Sequence, residues 1–357
     1  MQTRRIGQAE KVVCEYVTVA RDDEVYECFP DMTRLPSGDL MVIYRESEAH
    51  EGYEYCNLIL RRSSDEGLTW GERQVIVEGP RGEQADPYVK YNCPKISTLT
   101  DGRVAAVCDE NVFEMPREQQ GRREFLIWWS DDDGASWSQP QRTGIHLGLP
   151  DKVYELSDAT LLLGGQVRSE RSGKLTWRSC RSQDAGRTWS APITIADDGR
   201  FEHCEGSVVE LPGGELVCYM RENSHQGYPG YKCLSRDRGL TWEGPYRTLM
   251  AGCERPIAGM LDNGKVLVTY RSNMRGAAGG KQNQFAYLES AESALEPDRA
   301  RQEGRIIMLD HDTNPRPDTG YSGWAQLRDG RVLCAYYIKR EAPMAFIRGR
   351  FFSEADF

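Results

Sequence analysis

The apolar residues of this chain come in short bursts. Six runs of mostly apolar residues recur along it: LMVIY (40–44), VAAVC (104–108), TLLLG (160–164), LVCYM (216–220), VLVTY (266–270) and VLCAY (332–336). Each follows a polar turn: Leu35-Pro-Ser-Gly-Asp, Thr100-Asp-Gly-Arg, Ser157-Asp-Ala-Thr, Pro212-Gly-Gly-Glu, Asp262-Asn-Gly-Lys and Arg328-Asp-Gly-Arg. Runs this short, bounded by Asp-Gly or Asn-Gly, read as buried strands entered through tight hairpins.

A second repeat accompanies four of the hairpins. Ser63–Trp70 (SSDEGLTW), Ser130–Trp137 (SDDDGASW), Ser182–Trp189 (SQDAGRTW) and Ser235–Trp242 (SRDRGLTW) align without gaps. The Asp side chain can accept backbone N–H groups of its own turn, Gly supplies unusual backbone angles, and Trp anchors the turn on a sheet. The period of about 50 to 67 residues suits one four-stranded sheet per repeat. The pattern predicts an all-β fold, a six-bladed β-propeller of four-stranded antiparallel blades, with the second repeat missing from blades five and six. A strand near Val12–Val19 is expected to join the last blade and close the ring, hiding its edges. No linker or low-complexity segment interrupts the chain, so residues 1–357 are expected to form one domain.

Composition narrows the partners. With 39% hydrophobic and 28% charged residues, global disorder is excluded. A net charge of −10 argues against nucleic acid and anionic membrane, so an anionic ligand needs a local arginine cluster. The N-terminal MQTRRIGQAEKVVCEYV has no apolar run of signal-peptide length, and no later stretch has the length and polarity to span a bilayer. The eleven cysteines are an odd number, scattered through strand patterns as at Cys108, Cys218 and Cys334, without paired CxxC spacing. They read as free thiols in a reducing compartment. A cytoplasmic location is expected, although a mature secreted chain would begin alike. The five histidines lack zinc spacing, and no metal or other cofactor is expected.

The turn residues Gly38, Gly102, Ala159, Gly214, Gly264 and Gly330 provide an internal ruler. Seven positions later stand Arg45, Asp109, Gln166, Arg221, Arg271 and Tyr337. Seven positions earlier stand Asp31, Lys95, Lys152, Ser207, Ile257 and Gly323; nine earlier stand Phe29, Cys93, Pro150, Glu205, Arg255 and Tyr321. In antiparallel strands these positions are neighbours at the end opposite the turn. They should converge on one mouth of the channel. Two readings are open: a self-satisfied network of Asp31, Asp109 and Glu205 against the arginines, or a polar binding pocket.

The four Ser-x-Asp-x-Gly-x-Thr/Ser-Trp boxes resemble those of the sialidase (BNR, or Asp-box) superfamily, over most of the chain. The resemblance implies that the boxes are structural. Three segments match the family's active site in the same register. His203-Cys-Glu-Gly-Ser-Val-Val-Glu-Leu resembles the family's Asn-Glu-x-x-x-x-Glu-Leu strand, which implies Glu205 as the catalytic glutamate. Arg221, in CYMRE, is similar to the arginine that binds the substrate carboxylate. Gly320-Tyr321-Ser322 resembles the segment carrying a tyrosine nucleophile. A phenol of pKa about 10 needs a neighbouring carboxylate to take its proton, and a neutral nucleophile suits an anomeric centre beside a substrate carboxylate.

The resemblance has gaps. Cys28, in Cys28-Phe29-Pro30-Asp31, stands where the family has the first of three arginines. Tyr337 stands where it has the glutamate bracing that arginine. The third arginine falls on Arg271 or Arg275, and Arg255, in CERPIAG, is a further candidate. The loop Arg45-Glu-Ser-Glu-Ala-His-Glu-Gly-Tyr-Glu54 has no Asp to act as general acid. His50 has a suitable intrinsic pKa; Glu48 and Glu51 are alternatives, with Asp86 (in QADPYVKY) and His203 behind them. Loss of an arginine together with its brace implies a changed substrate.

The expectation is therefore an exo-acting glycoside hydrolase that removes a terminal acidic sugar from an oligosaccharide or glycoconjugate. Tyr321 and Glu205 would be nucleophile and base, and His50 or Glu51 the proton donor. Arg221, Arg255, Arg271, Arg45, Asp31, Lys95, Lys152, Asp109, Asp86, His203 and Tyr337 would line the substrate. One alternative is a lyase, in which Tyr321 or His50 abstracts the proton next to a uronate carboxylate. Another is a non-catalytic glycan-binding propeller.

Overall fold

A computed structural model of the chain describes residues 16–52, 54–81, 88–113, 120–273 and 282–357. These residues form six four-stranded antiparallel sheets, arranged as the blades of a propeller. Blade one runs Tyr26–Arg34, Leu40–Ser47, Cys56–Ser63, Gln74–Glu78; blade two Tyr88–Thr98, Val104–Phe113, Gln120–Ser130, Gln141–Arg142; blade three Tyr154–Glu155, Leu161–Arg168, Leu175–Ser182, Ile193–Ala196. Blade four runs His203–Glu210, Leu216–Glu222, Tyr231–Ser235, Glu243–Arg247, and blade five Cys253–Met260, Val266–Asn273, Gln282–Glu289, Gly304–His311. Blade six combines Gly320–Gln326, Val332–Ile338 and Phe346–Phe352 with an outer strand, Tyr16–Ala20, from the other end of the chain. Tyr16 lies opposite Arg350 and Ala20 opposite Ile347, so a strand from the other end of the chain closes the ring; residues 12–15 of the strand expected at Val12–Val19 lie outside the described residues.

The six apolar runs form the second strands, and both of their faces are buried. Leu40, Val42 and Tyr44 pack toward Leu333, Ala335 and Tyr337 of blade six. Met41 and Ile43, pointing the other way, pack on Val104, Ala106 and Cys108 of blade two. Burial on both faces explains why the runs are continuous instead of alternating. The hairpin glycines have φ of 81–93°, and Ala159 adopts 63° in their place.

Each box ties its own turn. In the first, Asp65 Oδ1 accepts Thr69 N–H (2.9 Å), Asp65 Oδ2 accepts the Thr69 hydroxyl (2.6 Å), and Ser63 Oγ accepts Gly67 N–H (2.9 Å). Asp132, Asp184 and Asp237 repeat the pattern. The boxes lie at the hairpin end of the blades, since Ser63 pairs with Leu40 beside the turn. In blade five a short helix, Ala291–Leu295, capped by Ser290, takes the place of the box.

Innermost strands are also tied across blades. Asp31 Oδ2 accepts Ile96 N–H (2.9 Å), Asp151 Oδ2 accepts Val208 N–H (3.0 Å), and Ser207 Oγ accepts Ala258 N–H (3.1 Å). The ten described cysteines are buried and unpaired. Among the described residues no helix is long and apolar enough to cross a membrane.

Candidate active site

The inner strands do not run straight to the mouth. Their register slips between Cys28 and Asp31, Asn92 and Lys95, Cys204 and Ser207, and Glu254 and Ile257. At each slip one residue takes a left-handed backbone: Phe29 (φ 56°), Cys93 (45°), Glu205 (49°) and Arg255 (48°). These are the positions nine before the hairpin turn. A bulge of this kind re-aims the side chain, and positive φ in non-glycine residues gathers at functional sites. In blade six the bulge residue is Gly320 (φ 107°), which delivers Tyr321. A Cβ on Gly320 would lie 2.6 Å from Arg271 Cβ, so both backbone angle and space require glycine.

Three carboxylates organise the mouth, Glu205 and Glu254 buried and Asp318 half-buried. Glu205 Oε1 accepts the Tyr321 hydroxyl, and Arg221 Nη1 donates to both Glu205 oxygens at 3.2 and 3.1 Å. The same Nη1 lies 3.3 Å from the Tyr321 hydroxyl, and Arg255 N–H donates to Glu205 Oε2 at 3.1 Å. Glu254 accepts from Arg221 Nη2 (2.8 Å) and Arg271 Nε (2.6 Å), holding the two guanidiniums together. Asp318 accepts from the hydroxyls of Tyr337 (2.9 Å) and Tyr26, is bonded to His50 Nδ1 at 2.7 Å, and lies 3.9 Å from Arg271 Nη1. Arg271 Nη1 also donates to the Tyr337 hydroxyl (3.2 Å). The Phe29 ring packs against Tyr321 (5.2 Å), Tyr337 (5.4 Å) and His50 (5.2 Å).

The electrostatics separate the two partners of the central pair. Burial alone would raise the Glu205 pKa, but the Arg221 and Arg255 charges, the Tyr321 hydrogen bond and Arg271 bring it below the usual carboxylate range. Burial and the Glu205 charge push the Tyr321 phenol well above its ordinary value, against Arg221 and Arg271. The resting state is therefore a carboxylate accepting from a neutral phenol. Burial also opposes the Asp318 charge, yet His50, Arg271 and Tyr26 hold its pKa down.

The other residues expected near substrate are placed as follows. Arg45 is fully buried; it donates to Asn92 Oδ1 (2.8 Å), to Ala49 O (3.4 Å) and to His50 O, and stacks over Phe29 at 4.5 Å. It shapes the loop carrying His50. Cys28 pairs with Arg45 in register, and burial pushes its thiol up to about 12. Asp31 is buried with Lys152 Nζ at 3.6 Å and Lys95 Nζ at 4.0 Å. Burial lowers Lys95 to about 8, against the Asp31 charge. Arg255 donates from Nη1 and Nη2 to Leu149 O (3.2 Å) and Pro150 O (2.5 Å). Asp109 accepts from Asn111 (2.9 Å) and faces Arg123 at 3.9 Å. His203 packs on Phe201 and Tyr231, 3.5 Å from Asp198. Glu51 is exposed, and Glu48 Oε2 accepts Tyr55 N–H (3.4 Å). Asp86 and Arg275 lie outside the described residues.

Glu254 and Asp318 were not among the residues expected at the site. Glu254 had a signal: a charge beside Arg255 at the mouth end of an apolar strand. Asp318 had a weaker one, three residues before Tyr321. Among the described residues no group of three or more His, Cys, Asp or Glu side chains forms a metal site.

Similar proteins share this framework. A sialidase of Micromonospora viridifaciens is 26% identical over 86% of the chain, which spans about half (49%) of that protein's length. The structure of a protein of unknown function from Dyadobacter fermentans DSM 18053 superposes with a TM-score of 0.78 at 21% identity, covering 94% of this chain and 97% of the other. The intramolecular trans-sialidase of Ruminococcus gnavus, in complex with oseltamivir carboxylate, superposes with a TM-score of 0.68 at 13% identity, covering 98% and 99%. At such identities the structural likeness speaks for the fold. The family model of the BNR repeat-like domain matches residues 38–334, from the first hairpin turn to within the sixth apolar run and including all four boxes, and the chain belongs to that family.

Proposed function

We propose that this protein is an exo-acting glycoside hydrolase that releases a terminal acidic sugar, with Tyr321 as nucleophile and Glu205 as its base. The observation that carries this reading is the Tyr321–Glu205 hydrogen bond with Arg221 on both groups. With an acidic Glu205 and a reluctant phenol, the proton does not move in the resting enzyme. It moves as the bond from the Tyr321 oxygen to the anomeric carbon forms, and Arg221 Nη1 stabilises the charge that develops there. His50, oriented through Nδ1 by Asp318, donates its proton to the leaving oxygen through Nε2.

An acidic substrate fits the charge at the mouth. Four guanidiniums, Arg45, Arg221, Arg255 and Arg271, face three carboxylates, Glu205, Glu254 and Asp318. The buried Nε atoms of Arg45, Arg221 and Arg255 have no protein acceptor. One substrate carboxylate would balance the set. The relatives named sialidase and trans-sialidase support a sugar of this class. Cys28 in place of the first arginine supports a terminal sugar different from theirs.

The test is a panel of acidic oligosaccharides, with products followed by mass and ultraviolet absorbance. Tyr321→Phe and Glu205→Gln should each lower kcat by roughly 10³-fold or more. Unchanged turnover in both variants would remove the assignment. An unsaturated, ultraviolet-absorbing product would identify a lyase, and binding without any turnover a glycan-binding propeller.

A further inference from the structure

The chain crosses from the outer strand of blade five, Gly304–His311, to the inner strand of blade six, Gly320–Gln326. It does so at the mouth end, where His311 lies opposite Asn283 and Gly320 opposite Tyr337. The crossing reads Asp312-Thr-Asn-Pro-Arg-Pro-Asp-Thr319, and it carries Asp318, the partner of His50. None of these residues belongs to a strand, so no sheet ladder fixes where Asp318 stands.

Asp312 holds the crossing instead. Its side chain is fully buried, and four backbone N–H groups converge on its two oxygens. Oδ1 accepts from Asn314 (2.9 Å) and Arg340 (2.8 Å), and Oδ2 from Asp318 (2.9 Å) and Lys339 (3.2 Å). Among the described residues no cationic side chain pairs with it. Each oxygen therefore joins the crossing to the turn that follows Ile338 in blade six. That turn begins two residues after Tyr337, whose hydroxyl donates to Asp318. Asn314 adds a second link, from its amide to Arg340 O (2.5 Å). Thr319, at the strand, is held separately by Gln282 Oε1 (2.8 Å) and Tyr337 O (2.7 Å). Pro315 and Pro317 stiffen the span before Asp318. A carboxylate offers acceptors on both oxygens. An amide in its place would turn an NH2 group toward two N–H donors.

We propose that Asp312 is the positioning residue of the acid step: it fixes the Asp318 backbone and, through the Asp318 carboxylate, the His50 ring. This assignment rests on the glycosidase reading, in which His50 protonates the leaving oxygen. The tie then matters in proportion to the leaving group's need for a proton.

The test compares two glycosides of the terminal sugar by kcat/KM, which reports the first chemical step. Asp312→Asn should lower kcat/KM by roughly tenfold or more on the alkyl glycoside, whose oxygen needs the proton, and by about threefold or less on the 4-nitrophenyl glycoside, which departs as a stable phenolate. His50→Gln should show the same split, and Asp312→Asn should add nothing to it in the double variant. Equal losses on both glycosides, or additive losses in the double variant, overturn the proposal. The His50 Nδ1–H proton resonance, identified by its loss in His50→Gln, reports the same geometry without substrate. It should move in Asp312→Asn, and an unmoved resonance also overturns the proposal. Thermal melting shows whether Asp312→Asn folds. If it does not, Asn314→Ala, which loosens the crossing from its half-buried side, is measured in its place against the same outcomes. If the resonance moves while Tyr321→Phe and Glu205→Gln retain full turnover, the hydrolase reading fails and the tie from Asp312 to His50 stands.

Discussion

At Tyr321 one oxygen is asked to be a poor acid at rest and a good nucleophile in reaction. Glu205 and Arg221 meet both demands because they flank the same hydroxyl. Asp318 plays the matching part for His50, fixing the ring through Nδ1 while also accepting from Tyr26 and Tyr337. Asp318→Asn keeps the shape and removes the charge. It should lower kcat by roughly 10–100-fold with KM little changed. An unchanged kcat would make Asp318 merely structural. Lys95 offers a stability test. Its folded-state pKa of about 8 lies below the unfolded value, so between the two the unfolded chain binds the extra proton. Stability then rises with pH from about 8 toward 10.4, by up to about 3 kcal/mol. Urea denaturation across that range should show the rise in the wild type and a flatter curve in Lys95→Met.

Residue identities at the mouth were legible because hairpins conserve counting. From a known turn, equal numbers of residues in two antiparallel strands reach the same end, and this brought Glu205, Arg221, Arg271 and Tyr321 into one group. Alternation also has a limit, which Glu254 exposes. Next to Arg255 in a regular strand, it would point to the opposite face. The bulge at Arg255 breaks that rule and lets neighbours serve one site.

Among the elements, the bulged inner strands and the boxed turns divide the labour. The bulges aim side chains; the boxes hold the far ends of the blades. Substitutions should separate the two. Gly320→Ala forces a methyl against Arg271 at an angle only glycine adopts readily. It should cost stability by about 2 kcal/mol or more and remove most activity by displacing Tyr321. Asp65→Ala removes three hydrogen bonds at the opposite end. It should lower Tm by a few degrees with kcat unchanged. Thermal melts and kinetics on both proteins provide the check. Box and hairpin sequences announce themselves through Gly, Asp and Trp. The bulges do not, since Phe29, Cys93, Glu205 and Arg255 share a backbone angle and no chemistry.

At the scale of the whole molecule, six sheets share apolar interfaces and a ring of cross-blade bonds. The junction of blades six and one is especially close: a Cβ on Gly323 would lie 2.5 Å from Asp31 Cα. The outer edge of blade six depends on Tyr16–Ala20. Deleting residues 1–20 bares the strand Phe346–Phe352, an unpaired edge that invites association with other chains. Size-exclusion chromatography should show oligomers, and the melting temperature should fall. A monomer of unchanged stability would mean that the closing strand is dispensable.

That strand also imposes an order on synthesis. Tyr16–Ala20 leaves the ribosome before the rest of the propeller, and its partner, Phe346–Phe352, is made more than 300 residues later. At typical elongation rates the wait is roughly 20–60 s, far longer than a hairpin needs to form. During that interval the five inner blades can assemble while the first strand has nowhere to dock. On a polysome, the nearest bare edge belongs to a neighbouring nascent chain. Crowded translation is thus the condition under which this ring is most exposed to closing on the wrong molecule.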